Sequence, residues 1–168
     1  MYQVGETIIY GGEGACRVEA VGRLNMSGIS KDKDYYTLAP LYREGKIYAP
    51  VDTPVFTRPI ITGDEAETLI RAMPSIEAAS CGERSTRLLN EHYQALLRSH
   101  SCTEMVQLIK EVYEKQQEKK THGIRPGQVD ERYMKRAEDL LHGELAAALG
   151  IPREDVPAYI RKTIEEMG

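Results

Sequence analysis

The stretch Gly11-Gly12-Glu13-Gly14-Ala15-Cys16 has the residue types of a loop that cradles a phosphate. A dinucleotide fingerprint needs GxGxxG after a strand and opening a helix, so that backbone N–H groups and the helix N-terminus meet the pyrophosphate. Gly12 and Gly14 supply the first half, but position 17 is Arg17, and the following ACRVEAVG alternates like a strand. No GK[ST] triplet exists for a Walker loop, and Glu13 would repel a phosphate. The three glycines are therefore expected to turn one strand into the next. Other reactive types fail on spacing. His92, His100, His122 and His142 form no HxxxH pair, Cys16, Cys81 and Cys102 form no CxxC pair, and no GxSxG elbow occurs. The acids at 64–67 and 165–166 sit where helix starts and exposed ends attract them. No catalytic residue, metal site or cofactor is expected, and the chain reads as a non-enzyme.

What must position the remaining side chains changes character once along the chain. Up to about residue 59, ETIIY, GACRVEAVG, YYTLAPL and KIYAPV are strand-length, rich in Val, Ile, Thr and Tyr, and bounded by turn residues. Four or five such strands predict a small antiparallel barrel or strongly bent sheet, with MSGISKDKD as a polar hairpin loop. Beyond TRPIITGDE the period becomes helical. A first helix at 63–73 carries Ala66, Leu69, Ile70 and Met73 on one stripe, with Thr62 or Gly63 as its cap, and Pro74 blocks it. SIEAASCGE reads as a linker. Three longer helices follow: one capped by Ser85, one with a capping signal at Thr103, and one starting near Pro126 and stopping at Gly150. A last amphipathic piece begins at Pro152. The fold class is α+β in two modules, divided as a β domain at 1–60, a connecting helix and linker at 61–83, and a compact helical domain at 84–168.

Charge narrows the partners. The chain of 168 residues has a formal net charge of −4. Residues 1–60 balance seven basic against seven acidic residues, 100–136 hold eight against six, and 137–168 hold three against seven. A non-specific nucleic-acid binder presents a large basic surface, and none is evident here. Lys110, Lys115, Lys119 and Lys120 alternate with Glu111, Glu114 and Glu118, as on a solvated helix. Arg84, Arg87, Arg132, Lys135 and Arg136 have fewer acidic neighbours and make the better DNA-facing patch. The start MYQVGETIIY is unlike a signal peptide. No run approaches the roughly 18–20 apolar residues that span a membrane, and the odd, distant cysteines argue against a disulfide framework. A cytoplasmic protein with no membrane partner is expected.

The opening VGETIIYGGEGACRVEAV, the later IYAPVDT, and EMVQLIKEVYEKQQEKK followed by MKRAEDLLHGELAAALG resemble, in order, segments of the CarD/CdnL bacterial transcription regulators. The resemblance implies a Tudor-like N-terminal domain that pairs a strand edge with the RNA polymerase β subunit. It also implies a helical domain held against promoter DNA at the upstream edge of the bubble, on the nucleoid, modulating open-complex lifetime. Carried over by position, the polymerase-facing residues are Arg23, Leu24, Met26 and Tyr48, and the family often has Arg where Leu24 and Tyr48 stand. The family's wedging Trp falls near Ser85-Thr86-Arg87, yet the chain has no Trp and no aromatic residue between Phe56 and Tyr93. DNA contact is then expected as weak, polymerase-dependent backbone attraction by Arg84, Arg87, Arg132, Lys135 and Arg136. An adaptor that docks on polymerase without a DNA wedge is the alternative. A monomer is expected, with strand-edge swapping as a route to a dimer.

Overall fold

A computed structural model describes residues 1–82 and 85–168. Arg84, one of the expected DNA-facing residues, lies outside the described residues. Five strands, β1 (Thr7–Tyr10), β2 (Gly14–Arg23), β3 (Asp34–Pro40), β4 (Ile47–Pro50) and β5 (Thr57–Pro59), form one antiparallel sheet in the order β4-β3-β2-β1-β5. Alternation sends Ile8, Cys16, Val18, Tyr36, Leu38 and Ala49 into a single core on one face. A register shift between Val18 and Ala20 marks a bulge that bends β2. The Gly-rich stretch is a single 3-10 turn at Gly11–Glu13 between β1 and β2, so its glycines do join two strands.

Five helices follow: α1 (Gly63–Ala72), α2 (Thr86–Arg98), α3 (Cys102–Thr121), α4 (Gln128–Leu149) and α5 (Val156–Met167). The two-part α+β architecture expected from the change of period is the one adopted. Thr62 and Glu65 form a reciprocal capping box on α1, and Ser85 caps α2 as its position predicts. α3 differs: Ser101, two residues before Thr103, supplies the cap by accepting from the Glu104 N–H. α4 starts at Gln128 after Gly127 rather than at Pro126, and a 3-10 turn at Arg153–Asp155 follows Pro152 before α5 begins. Gly150 closes α4 with φ 70°, the left-handed stop its position suggests. The second core gathers Ala66, Ile70, Tyr93, Leu108, Val112, Ala137, Leu141, Leu145 and Val156 from all five helices. α2 and α3 are joined by a short turn and run back along each other, as do α3 and α4. The start of α2, the end of α3 and the start of α4 thus share one end of the bundle, where Arg132 of α4 donates to Asn90 of α2 and Lys119 of α3 pairs with Asp130 of α4.

The acid-base alternation of α3 is not simply a solvated face. Glu111 is buried and bonds His92 at 2.7 Å, while Lys110 donates to the carbonyls of Met73 and Ile76. Lys115 donates to the hydroxyl of Tyr93 and to Asp130, which is itself buried. Charged groups on three helices therefore build an interior polar layer. His92 is a member of it rather than an isolated surface residue.

Candidate functional site

β4 pairs only with β3 and ends the sheet, so its outer row of N–H and C=O groups is unpaired by strand. Tyr48 stands opposite Thr37 with 38% of its surface exposed. At the exit of β2, Leu24 is half-buried and Met26 is exposed. Arg23 sits beside them, bonded to Asp34 and to the Lys31 carbonyl. β2 and β4 flank β3, so all four residues come to the same half of the sheet. The Arg23–Asp34 pair is exposed on both sides and contributes about 0–1 kcal/mol, so Arg23 is readily redirected to a partner.

The opposite half of the sheet faces the helices, and the contact is built around two consecutive residues of α4. The hydroxyl of Tyr42 donates to the Gly143 carbonyl at 2.6 Å. A Cβ at 143 would lie 2.8 Å from the Tyr42 ring, closer than such atoms pack, so only glycine lets the ring seat on the helix. The Arg153 guanidinium covers that ring at 4.6 Å. Glu144 is 2% exposed and grips Arg58 of β5 with both oxygens, at 2.6 and 2.8 Å. It also accepts the Ile61 N–H at 2.9 Å and the Cys102 thiol at 3.3 Å. Arg58 in turn donates to the His100 carbonyl, and His100 stacks on Phe56 at 4.2 Å. The hydrogen bond to Glu144 holds the Arg58 guanidinium pKa above its ordinary value.

The Gly-rich turn completes this contact. Arg136 of α4 donates to the Gly12 carbonyl, and Gly14, at φ 77°, lies where a Cβ would come 3.0 Å from Leu140. Two of the three glycines that look like a phosphate cradle, Gly12 and Gly14, are a seat for α4. Arg136, one of the expected DNA-facing cations, is exposed but spends a donor on this seat.

The other described cations of that group, Arg87, Arg132 and Lys135, are also engaged. Arg87 pairs with Glu91 at 3.1 Å and Lys135 with Asp139 at 3.1 Å, both at i,i+4 spacing. Arg132 donates to Asn90 at 2.9 Å and lies over the Tyr133 ring. Arg87 and Arg132 share one end of the bundle, whereas Lys135 and Arg136 lie about one turn along α4 toward the sheet.

Two of the three thiols, Cys16 and Cys102, are buried and held inert. Burial, followed by the nearby Glu144 charge, pushes the Cys102 thiol up to about 12, and burial followed by Glu13 pushes Cys16 up to about 11. In the native protein at pH 7.5, iodoacetamide is expected to label Cys16 and Cys102 at least tenfold more slowly than in urea, read by mass spectrometry. Labelling at the unfolded rate would show that these thiols are not sealed in the folded state.

Sequence reasoning missed the clamp. Arg58, Tyr42 and Glu144 are not near in sequence, and a lone acid within a helix looks solvated. One signal was present: a glycine in the middle of a long helix is costly and marks a close approach.

A small antiparallel sheet with a free strand edge, locked to a helical body on its far side, defines the class. Residues 2–55, the N-terminal module, match the family model described as the CarD-like/TRCF RID domain. The match spans β1 to β4 and ends before β5, so the edge strand lies inside it and Arg58 outside. Domains of this type interact with the RNA polymerase β subunit. No curated protein matches the chain. Among the described residues, no helix is long and apolar enough to cross a membrane.

Proposed function

We propose that the protein is a transcription regulator that docks on the RNA polymerase β subunit through β4 and the β2 exit, and tunes promoter open-complex stability through its helical module. It binds rather than catalyses. The observation that carries this reading is the free β4 edge inside the matched domain, with Arg23, Leu24, Met26 and Tyr48 clustered beside it. Strand addition supplies affinity through the backbone, and the side chains beside the edge supply selectivity. Leu24 and Tyr48 give an apolar, hydroxyl-bearing rim, so docking here depends less on salt than ion pairing would.

The test is a titration of the full chain with a fragment carrying the β protrusion. Leu24→Asp and Tyr48→Asp are each expected to weaken binding by roughly tenfold or more, since an apolar anchor is lost and a desolvated charge introduced. Their unfolding midpoints should match the parent within about 2 °C, because both side chains lie outside the cores. Absence of binding by the intact parent at tens of micromolar would falsify the docking reading.

One observation favours the adaptor reading: Arg87, Arg132, Lys135 and Arg136 all have internal partners. An open-complex lifetime unchanged by Arg84→Ala with Arg87→Ala, at a promoter where the parent acts, would assign the DNA-side effect elsewhere.

A further inference from the structure

We propose that the cleft between the Gly-rich turn, the residue before β5 and the end of α2 is a docking site for an acidic peptide segment of a partner protein. An apolar side chain of that segment seats beside Phe56 while its carboxylates meet Arg98 and Arg136. The cleft lies across the sheet from the β4 edge, so it is a second partner surface and does not depend on the polymerase reading.

The floor of the cleft is apolar and held still. Phe56 is the single phenylalanine of the chain and stays 42% exposed. The Gly11 N–H donates to the Phe56 carbonyl at 2.8 Å, and His100 stacks on the ring at 4.2 Å with the two planes 8° apart. Among the described residues, His100 is the only one other than glycine with a positive φ, 55°. A side chain adopts that conformation where its surroundings impose it. Here Arg58 donates to the His100 carbonyl at 2.8 Å. Burial, followed by the Arg58 charge, holds the His100 pKa below its ordinary value, so at neutral pH the stacked plane is uncharged. The clamp between the modules thus fixes an exposed aromatic pair, and a ring already fixed loses little freedom when a partner covers it. Leu97 and Leu140, both half-buried, continue the floor of a cleft of about 320 Å³. That is near the low end of the roughly 300–1,000 Å³ of ligand clefts, which is room for one large side chain and not for the face of a helix.

Charge identifies the occupant. No Asp or Glu lines the cleft. Glu13, next to Gly12 in the chain, is taken up by Arg43 at 2.8 Å. Among the described residues, Arg98 and Arg136 enter no ion pair: Arg98 donates to the neutral Gln94 amide at 3.3 Å, and Arg136 to the Gly12 carbonyl. Each guanidinium keeps donors free and gives up no carboxylate when an acid arrives. Two such groups beside an apolar cleft match a short acidic segment with one large apolar side chain. A nucleic-acid backbone calls instead for a longer row of cations, and the formal net charge of −4 works against it.

The experiment titrates the full chain with short fluorescein-labelled peptides that carry one central Phe or Leu among Asp and Glu, read by anisotropy at about 100 mM salt. The parent should bind at least one of them saturably, and a control with Ala at the centre should bind about tenfold more weakly. Phe56→Ala, which removes the ring, and Arg98→Glu, which reverses a charge, should each weaken binding by about tenfold. Arg136 is left in place because it also seats α4. Thermal melts check the fold, and because Arg98 is exposed its variant reads the site even where Phe56→Ala lowers stability. Affinity of both variants for the β fragment should match the parent, and a parent that binds no β fragment sinks the docking function alone. No saturable peptide binding by the parent below about 1 mM, undiminished binding by Arg98→Glu, or equal binding of the Ala-centred control overturns the proposal. So does a single-stranded oligonucleotide that binds more tightly than the peptides with the same dependence on Phe56 and Arg98, which would make the cleft a nucleic-acid site.

Discussion

Replacing Glu144 by alanine is expected to lower the unfolding free energy by about 3–5 kcal/mol, the largest effect of any single change at the contact between the modules. The carboxylate is buried and satisfies Arg58, the Ile61 N–H and the Cys102 thiol together. Removing it strands a guanidinium that is only 24% exposed and a backbone donor beside it. The effect has a signature that a loss of packing lacks. With the clamp gone, the sheet and the helices keep separate cores, so urea unfolding should split into two transitions where the parent shows one. Arg58→Met combined with Glu144→Leu should regain much of the loss, since a buried pair replaced by apolar residues often costs little. A single transition in Glu144→Ala with less than about 1 kcal/mol lost would show that the modules are held together by other contacts.

Asp130→Ala comes next, with an expected loss of about 2–4 kcal/mol. Asp130 is buried and accepts from the hydroxyl of Tyr93 at 2.6 Å, and Tyr93 is fully enclosed by α2, α3 and α4. Burial, reinforced by the Asp130 acceptor, pushes the Tyr93 hydroxyl pKa well above its usual range, so it remains a donor at all working pH. Without Asp130 that donor has lost its acceptor in an apolar surround, and Lys115 loses its anchor. Tyr93→Phe in the Asp130→Ala background should recover about 1 kcal/mol, because the orphaned hydroxyl is removed with it. A double variant less stable than Asp130→Ala would show that water, not a vacancy, takes the place of the carboxylate.

Local signals carried most of the fold. Strand alternation, the glycine turn, the Thr62 box, the Ser85 cap and the Gly150 stop all depend on residues within a few positions of one another, and these are where the expectations meet the structure. The one cap that the local reading misplaced is that of α3, which Ser101 supplies two residues before Thr103. What local pattern does not carry is partnership across the chain. Arg58 and Glu144 are separated by 86 positions, and nothing in the spacing of either announces the other. The same blindness made α3 look like a solvated helix, because the burial of Glu111 is decided by His92 on a different helix. The free β4 edge was legible because it lies inside one short module.

The placement of the two buried acids on α4 carries a consequence for how this chain tolerates change in length. Asp130 and Glu144 are fourteen residues apart on one continuous helix, about 21 Å of rise and within about 40° of four whole turns. One acid anchors the far end of the bundle and the other anchors the sheet. Inserting or deleting a single residue between them would swing one anchor about 100° around the helix away from its partners. The segment from 131 to 143 is therefore a stretch in which insertions and deletions should be refused even where its exposed positions accept substitution. The mostly exposed stretch at 27–33, beyond Leu24 and Met26, carries no such phase requirement and can lengthen more readily.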